Sequence, residues 1–251
     1  MKREFRTEIE LVVLDIDGVI TEGESSALDL DFIGQLAAMN RAARADESLP
    51  AITLCTGRPA PYLELMLQVI DGSLPGIFEN GAGLYFPHDY RFVAHPQVSE
   101  DHLIQEVRTL LERGPIKEGR AFIQPGKIYT LTLFATDPDQ TGQLKRWTEN
   151  ALGDLASRVD LAYSTSCLNI LPRGIEKGKG IEFLVQKTGI RAESMLGVGD
   201  SDVDLPFLKR VGHSAAPANA VPAVKAIVDY VSQERTSAGV LDILKEYRLL
   251  P

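Results

Sequence analysis

The segment LVVLDIDG, residues 11–18, decides the fold. The run LVVLDID, residues 11–17, predicts a buried strand, and Asp15 and Asp17 lie where its apolar part ends. In open parallel α/β sheets, ligands bind at the carboxyl ends of the strands. Successive strand residues point to opposite faces, but a bend before Gly18 would let both carboxylates reach one pocket. Acids also follow buried strands where the chain simply meets water, so this pattern alone leaves their role open.

Outward from this segment, strands alternate with amphipathic helices. We expect a helix through residues 30–39, a strand at 51–57, a helix at 61–70 and a strand at 76–82. The alternation returns after Pro172, with helices at 177–190, 204–212 and 220–228 and strands at 195–200, 213–217 and 229–232. Strands that alternate with helices predict an α/β fold with a parallel sheet.

Between these two stretches the rhythm changes. We expect a hairpin at 84–95, a helix at 99–113 with Ser99 at its N-terminus, and two strands within 119–135 joined by a Pro-Gly turn. A second helix is expected at 138–153, followed by strands at 158–164 and 167–171. Helix, strand, strand, repeated twice, is an α+β pattern. We therefore predict one α/β core, residues 1–83 and 173–251, interrupted by an α+β insert, residues 84–172.

Composition excludes several classes of protein. The chain of 251 residues has 35 acidic and 26 basic side chains and a net charge of −9, which argues against nucleic acid as a partner. Cys55 and Cys167 lack the spacing of a zinc site or disulfide framework. The apolar run at 11–14 is far shorter than the roughly 20 residues of a membrane span. We expect a cytosolic protein without a membrane partner.

Two further motifs lie at the same predicted edge of the sheet. Thr56, Gly57 and Arg58 follow the second strand, where a hydroxyl and nearby N–H groups can hold a phosphate oxygen, although strand–Thr–Gly is also an ordinary turn. Lys177 opens a helix, where a cation opposes the helix dipole unless an anion is near. A bound phosphate would explain this lysine, and so would a solvated basic turn.

An acid cluster completes the set. The sequence GDSDVD, residues 199–204, follows an apolar strand, and three acids so close together repel one another unless a cation or water separates them. Asp200 ends the strand, whereas Asp204 would also serve as a helix cap. All these motifs fall at the ends of core strands or the starts of core helices, which predicts one shared site.

In this order, the motifs DIDG, TGR, ENGA, GIEKG and GDSDVDLPFL resemble those of the haloacid dehalogenase superfamily. The similarity is to its sugar- and small-metabolite phosphatases with a large α+β cap, and the C-terminal part most resembles archaeal-type phosphoglycolate phosphatases. It spans nearly the whole chain. The resemblance implies a Rossmann-like core with the cap inserted between the ENGA and lysine motifs, where the insert was predicted independently.

The resemblance also implies a mechanism. Asp15 is expected to attack phosphorus and become an aspartyl phosphate, while Asp17 protonates the leaving alcohol and then activates water. Mg²⁺ is expected to bind Asp15, the backbone carbonyl of Asp17, and Asp200, with Asp204 completing or supporting the shell. Such parts suit phosphoryl transfer, which depends on positioning and on charge stabilisation.

The substrate contacts follow in the same way. Thr56 and Lys177 are expected to hold the phosphoryl oxygens, Gly57 to let the backbone approach, and Arg58 and Asn80 to contact the substrate. In the insert, the residues that could meet an anionic leaving group, or could simply be surface, are Arg120, Lys127, Tyr129 and Arg158. The expected substrate is a small phosphorylated metabolite, either a sugar phosphate or a phosphoglycolate-like acid.

One position departs from the family pattern, because Val203 stands where relatives commonly carry Asn. Because valine cannot form hydrogen bonds, any hydrogen bond that Asn gives to the groups around the metal must be absent here or come from another residue. Phosphotransfer to a second sugar hydroxyl and non-catalytic binding of a phosphometabolite are the alternatives to hydrolysis. The sequence does not determine the oligomeric state, although a homo-oligomer would be compatible with the insert hairpins.

Overall fold

The computed structural model describes residues 9–98, 102–164 and 166–250. Within these ranges the strands are β1 (Leu11–Leu14), β2 (Ala51–Leu54), β3 (Gly76–Phe78), β4 (Gly83–Phe86), β5 (Arg91–Ala94), β6 (Ala121–Ile123), β7 (Leu131–Ala135), β8 (Val159–Tyr163), β9 (Leu168–Pro172), β10 (Met195–Val198), β11 (His213–Ala216) and β12 (Tyr230–Val231). The α-helices are α1 (Leu30–Ala45), α2 (Ala60–Val69), α3 (Leu103–Leu111), α4 (Leu144–Leu152), α5 (Lys177–Thr188), α6 (Leu205–Leu208), α7 (Pro222–Lys225) and α8 (Thr236–Glu246).

The core is a parallel sheet with the strand order β12, β11, β10, β1, β2. Strand β1 is buried on both faces, since Val12 and Leu14 pack into one apolar cluster and Leu11 and Val13 into another. Continuous apolar strands of this kind are typical of parallel sheets covered by helices. The predicted α/β fold is confirmed, and the carboxyl ends of β2, β1 and β10 meet at one edge.

Next to the parallel sheet lies a small antiparallel sheet of β3, β4 and β5. It joins β2 through a single parallel bridge between Cys55 and Ile77, and Leu84 and Val93 pack into one of the core clusters. The predicted 84–95 hairpin is thus present as β4 and β5, and it packs with the core. We therefore propose that the insert begins near residue 95 in place of 84.

The insert is built on an antiparallel sheet with the order β6, β7, β9, β8. Strand β7 alternates, so that Leu131 and Leu133 pack into the apolar cluster that includes residues of α3 and α4, while Thr132 and Phe134 face a cavity above the core. This alternation is the period of two expected for a sheet with two different faces. One face of the insert therefore forms the roof of the cavity.

Glu79 ties the insert to the core. It follows β3, has no exposed surface, and accepts hydrogen bonds from the backbone N–H groups of Ile128 (2.9 Å), Tyr129 (2.8 Å) and Thr130 (2.8 Å). Hydrogen bonds to a carboxylate are among the stronger ones in proteins. This buried acid fixes the turn between β6 and β7 over the core.

Some predicted elements differ from the observed ones. The strands expected at 11–17 and 51–57 end at Leu14 and Leu54, because the chain turns to form loops at the sheet edge. Helix α8 was not predicted, although Val240, Ile243 and Leu244 are buried in the main core cluster. The expected Ser99 N-terminus lies outside the described residues. In the described ranges, no helix is both long enough and apolar enough to span a membrane.

Candidate active site

A buried ion network lies at the carboxyl edge of the parallel sheet. Asp15 follows β1, and its backbone N–H donates to the Val198 carbonyl oxygen of β10 at 3.0 Å. Lys177, the first residue of α5, places its Nζ 2.8 Å from Asp15 Oδ1 and 2.6 Å from Asp204 Oδ1. All three side chains are almost fully buried. The structure thus brings together three predicted site residues from three separate segments.

Asp204 is the organising residue of the acid cluster. Its Oδ2 accepts hydrogen bonds from the N–H of Asp200 at 3.0 Å, the N–H of Ser201 at 2.9 Å and the Ser201 hydroxyl at 3.0 Å. Its Oδ1 accepts from Lys177. With both oxygens in use, Asp204 closes the loop after β10 as the last residue of a capping box that begins at Ser201, whereas the expected cap hydrogen bond from Asp204 to helix α6 is not observed.

The acidic residues fit a divalent cation. Oxygens of Asp15, Asp200 and Asp204 lie within 4.8 Å of one another, and Asp200 Oδ1 is buried without a hydrogen-bond partner among the described residues. Gly18 leaves the space, since a Cβ there would lie 2.2 Å from Asp200 Oδ2. Carboxylate oxygens are the ligands that Mg²⁺ prefers. The unpartnered oxygen of Asp200 is the strongest structural sign of such a site.

Burial and mutual repulsion shift the pKa values of these groups. Burial, and then the charge of Asp204, raise the pKa of Asp200 to about 7, and the same two causes raise the pKa of Asp15 well above its usual range. Burial alone would lower the pKa of Lys177, but the flanking carboxylates of Asp15 and Asp204 raise it. The lysine thus stays charged, and the site favours additional positive charge.

Asp17 is held by Arg58 in a bidentate pair. The Arg58 Nε lies 2.7 Å from Asp17 Oδ2 and the Nη2 lies 2.7 Å from Oδ1, and Nη2 also donates to the Glu24 carbonyl oxygen at 2.7 Å. The guanidinium lies over the ring of Tyr62, 4.8 Å from its centroid. Arg58 thus fixes the orientation of the Asp17 carboxylate, and each Asp17 oxygen keeps a second lone pair for another donor.

Thr56, Gly57 and Asn80 form a tight corner beside this pair. The N–H of Asn80 donates to the Thr56 carbonyl oxygen at 3.0 Å, and the Thr56 hydroxyl accepts from the Arg58 N–H at 3.1 Å. Asn80 adopts a left-handed conformation with φ 57°, which Asn tolerates better than most residues. A Cβ at Gly57 would lie 3.0 Å from Asn80 Oδ1, so glycine permits the close approach.

A cavity of about 280 Å³ lies between this edge and the roof of the insert. The predicted site residues that line it are Asp15, Asp17, Gly57, Arg58, Asn80, Lys177 and Asp200. Thr56 and Asp204 lie behind this wall, fully buried. Of the four insert residues that were candidates for an anionic leaving group, Lys127 lines the cavity, whereas Arg120 and Arg158 are exposed at the surface and Tyr129 packs on the core.

Several lining residues were missed by the sequence analysis. Asn219 donates from Nδ2 to the Gly18 carbonyl oxygen at 2.7 Å and fixes the loop after β1. The rule that polar residues after core strands form the site would have found it, since it follows β11. Thr132 and Asn169 lie opposite each other on β7 and β9, and their alternation with apolar neighbours was the available signal.

The sequence as a whole matches known proteins. A family profile described as haloacid dehalogenase-like hydrolase matches residues 84–244. A phosphoglycolate phosphatase of Methanopyrus kandleri is 29% identical over 240 residues, which cover 94% of this chain and 96% of that protein. Phosphoglycolate phosphatase 1 of Saccharolobus solfataricus is 26% identical over 247 residues, 94% of each chain.

Solved structures share the fold. A Thermoplasma acidophilum protein superposes with a TM-score of 0.75 at 19% identity, covering 97% of this chain and 100% of that one. A sugar phosphatase of haloacid dehalogenase subclass IIB superposes with a TM-score of 0.68 at 19% identity, covering 96% of this chain and 99% of that one. At this level of identity the likeness concerns the fold.

Proposed function

This chain belongs to the haloacid dehalogenase-like hydrolase family, and we propose that it is a Mg²⁺-dependent phosphatase acting on a small phosphorylated metabolite. The observation that carries the proposal is the buried contact of 2.8 Å between Lys177 Nζ and Asp15 at the base of the cavity. A carboxylate beside a permanent cation suits attack on a phosphate group. The relatives named phosphoglycolate phosphatase support the reaction class.

The proposed reaction has two steps at Asp15. An Asp15 oxygen attacks phosphorus, the bond from phosphorus to the leaving oxygen breaks, and Asp17 donates a proton to that oxygen. Asp17 then takes a proton from water, which attacks the same phosphorus, and inorganic phosphate leaves with Asp15 regenerated. Lys177 stabilises charge on the transferring group in both steps. Water as the acceptor makes the reaction a hydrolysis.

The other site residues hold and orient the phosphate. The proposed ligands of the cation are the Asp15 and Asp200 side chains and the Asp17 backbone carbonyl, with Asp204 as a positioning residue. A bound divalent cation would neutralise negative charge on the phosphate oxygens. Asn80 Nδ2 is buried without a hydrogen-bond partner among the described residues, which makes it a ready donor to a substrate oxygen. The cytosolic location and any homo-oligomer stay predictions.

Replacing Asp15 by Asn tests this proposal. An amide cannot form the phosphoenzyme, so Asp15→Asn should lower phosphate release from an aryl phosphate with Mg²⁺ by about 1000-fold or more. Asp31→Asn is the matched control, because Asp31 is an exposed acid on α1. Full activity in Asp15→Asn, or an inactive wild type, would sink the proposal.

A further inference from the structure

The inference starts from Lys127, a buried cation that the mechanism does not use. It lies in the turn between β6 and β7, is 5% exposed, and lines the same cavity as Asp15 and Lys177. Its Nζ donates a hydrogen bond to the Thr132 hydroxyl. No carboxylate of the described residues lies within 4.0 Å of it. Burial lowers its pKa to about 8.

Burying a cation without an ion pair costs free energy, so we expect an anion to lie beside it when substrate is bound. The nearby acids of the core accept hydrogen bonds from other groups, although the charge of Glu79 still raises the pKa of Lys127. Glu79 accepts its hydrogen bonds from the turn that carries Lys127, and Asp17 is held by Arg58. Glu24 also lines the cavity but makes no ion pair with Lys127. Of the three N–H donors of this ammonium group, one is used by Thr132.

The ammonium group is also held in place from the roof of the cavity. Thr132 and Asn169 are paired across β7 and β9, and the Thr132 hydroxyl donates to Asn169 Oδ1 at 2.9 Å. With its hydrogen directed to Asn169, the hydroxyl presents a lone pair to Lys127. This chain of hydrogen bonds fixes a positive charge on the roof, across the cavity from the ion network of the core.

We propose that Lys127 binds the carboxylate of a phosphorylated carboxylic acid whose phosphoryl group lies at Asp15. This rests on the proposed function and narrows its substrate class from phosphorylated metabolites in general to those with an anionic leaving group. The remaining donors of Lys127 would pair with the carboxylate, and Thr132 and Asn169 would position the lysine. A neutral sugar phosphate would leave the buried charge unpaired.

A pair of matched substrates tests the proposal. 2-Phosphoglycolate carries a carboxylate where 2-hydroxyethyl phosphate carries a neutral CH₂OH group. The wild type should prefer the acid in kcat/KM by at least about 10-fold, and Lys127→Met should reduce that preference by about 10- to 100-fold, the range expected for loss of a charged hydrogen bond. The control Lys145→Met removes an exposed lysine of the same insert and should keep the preference.

Two further measurements keep the test decisive. Thr132→Val removes the hydroxyl that holds Lys127 and should reduce the preference by a smaller factor than Lys127→Met. Calorimetric binding of 2-phosphoglycolate to Asp15→Asn needs no turnover, and it should weaken about 10-fold or more when Lys127→Met is added. Equal preference or equal binding with and without Lys127 would overturn the inference. A wild type that binds the acid through Lys127 but releases no phosphate would overturn the proposed function alone.

Discussion

Two buried lysines lie on opposite sides of the same cavity, and their surroundings differ. Lys177 in the core contacts Asp15 at 2.8 Å and Asp204 at 2.6 Å, and these carboxylates raise its pKa. Lys127 in the insert contacts the hydroxyl of Thr132, and burial lowers its pKa to about 8. The first charge is balanced by two carboxylates in direct contact, whereas among the described residues no carboxylate lies within 4.0 Å of the second, which the charge of Glu79 stabilises only from farther away.

The difference separates two kinds of task. A lysine between two carboxylates remains charged at all working pH values, which suits a group that stabilises the reacting phosphate. A buried lysine with no carboxylate in direct contact is held in a costly state, and an anionic ligand relieves that cost. We therefore propose that the core supplies the reacting groups and that the roof of the insert selects the substrate. In agreement with this, Lys177 lies on helix α5 of the core, and Lys127 lies in the turn between β6 and β7 of the insert.

The largest expected effect is on the free energy of unfolding, which substitution of the two lysines should change in opposite directions. Lys177→Met leaves two buried carboxylates without their cation and should lower the free energy of unfolding by about 3–5 kcal/mol. Lys127→Met removes a buried cation that has no ion pair. It should leave the free energy of unfolding unchanged or raise it by about 1–2 kcal/mol at pH 7. Urea unfolding in EDTA measures both. Destabilisation of similar size in the two variants would remove the distinction.

The second effect is on pH dependence. Because kcat/KM reports the free enzyme, the preference for 2-phosphoglycolate over 2-hydroxyethyl phosphate should be full below the Lys127 pKa of about 8 and decline above it. The loss should approach 10-fold one pH unit above that pKa, as the charged fraction falls. Apart from burial, Glu79, Cys167 and Asp17 raise this pKa and Arg58 lowers it.

A Lys127→Arg variant sharpens the same comparison, because arginine stays charged over the whole range. The preference of this variant for 2-phosphoglycolate over 2-hydroxyethyl phosphate should therefore change little between pH 7 and about pH 9.5. The wild type should lose its preference over the same range. The ratio of two substrates cancels titrations that both reactions share, including those of the core acids. A wild-type ratio that stays constant across this range would contradict the pairing of Lys127 with a carboxylate.

The smallest effect, on kcat and on the Mg²⁺ requirement, is expected at Val203, which lies in the core near the Lys177 network. Val203 lines the cavity, but both oxygens of Asp204 already have partners without it. Val203→Asn should thus change kcat or the Mg²⁺ requirement less than about 3-fold, as measured by magnesium titration of phosphate release. A dead wild type restored by Val203→Asn would show instead that the Lys177 network is incomplete.

Much of the fold followed from local patterns. The apolar run of β1 and the alternation of strands and helices predicted the parallel sheet, because burial on both faces requires continuous apolar strands. Helix α8 was missed, although its apolar spacing was present. The pairing of β3 with β4 was not predicted either, since a short apolar strand does not encode its partner.

The motifs also placed the core half of the candidate site. Asp15, Lys177 and Asp200 follow or open core elements, so the parallel topology alone carries them to one edge. Their individual roles stay proposals. Asp204 was expected at the metal shell, and the structure shows both its oxygens occupied by protein donors. Such a distribution of hydrogen bonds depends on loop geometry and cannot be read from spacing.

The sequence by itself determined the fold class and the residues that meet at the sheet edge, because strand ends and helix starts are local properties. The tertiary structure alone decided which of two buried lysines has acidic partners. Lys127 and Lys177 are 50 positions apart, and neither has a neighbouring sequence that reveals the other. Burial and pairing are set by the packing of the insert on the core, which brings together segments that no local pattern connects.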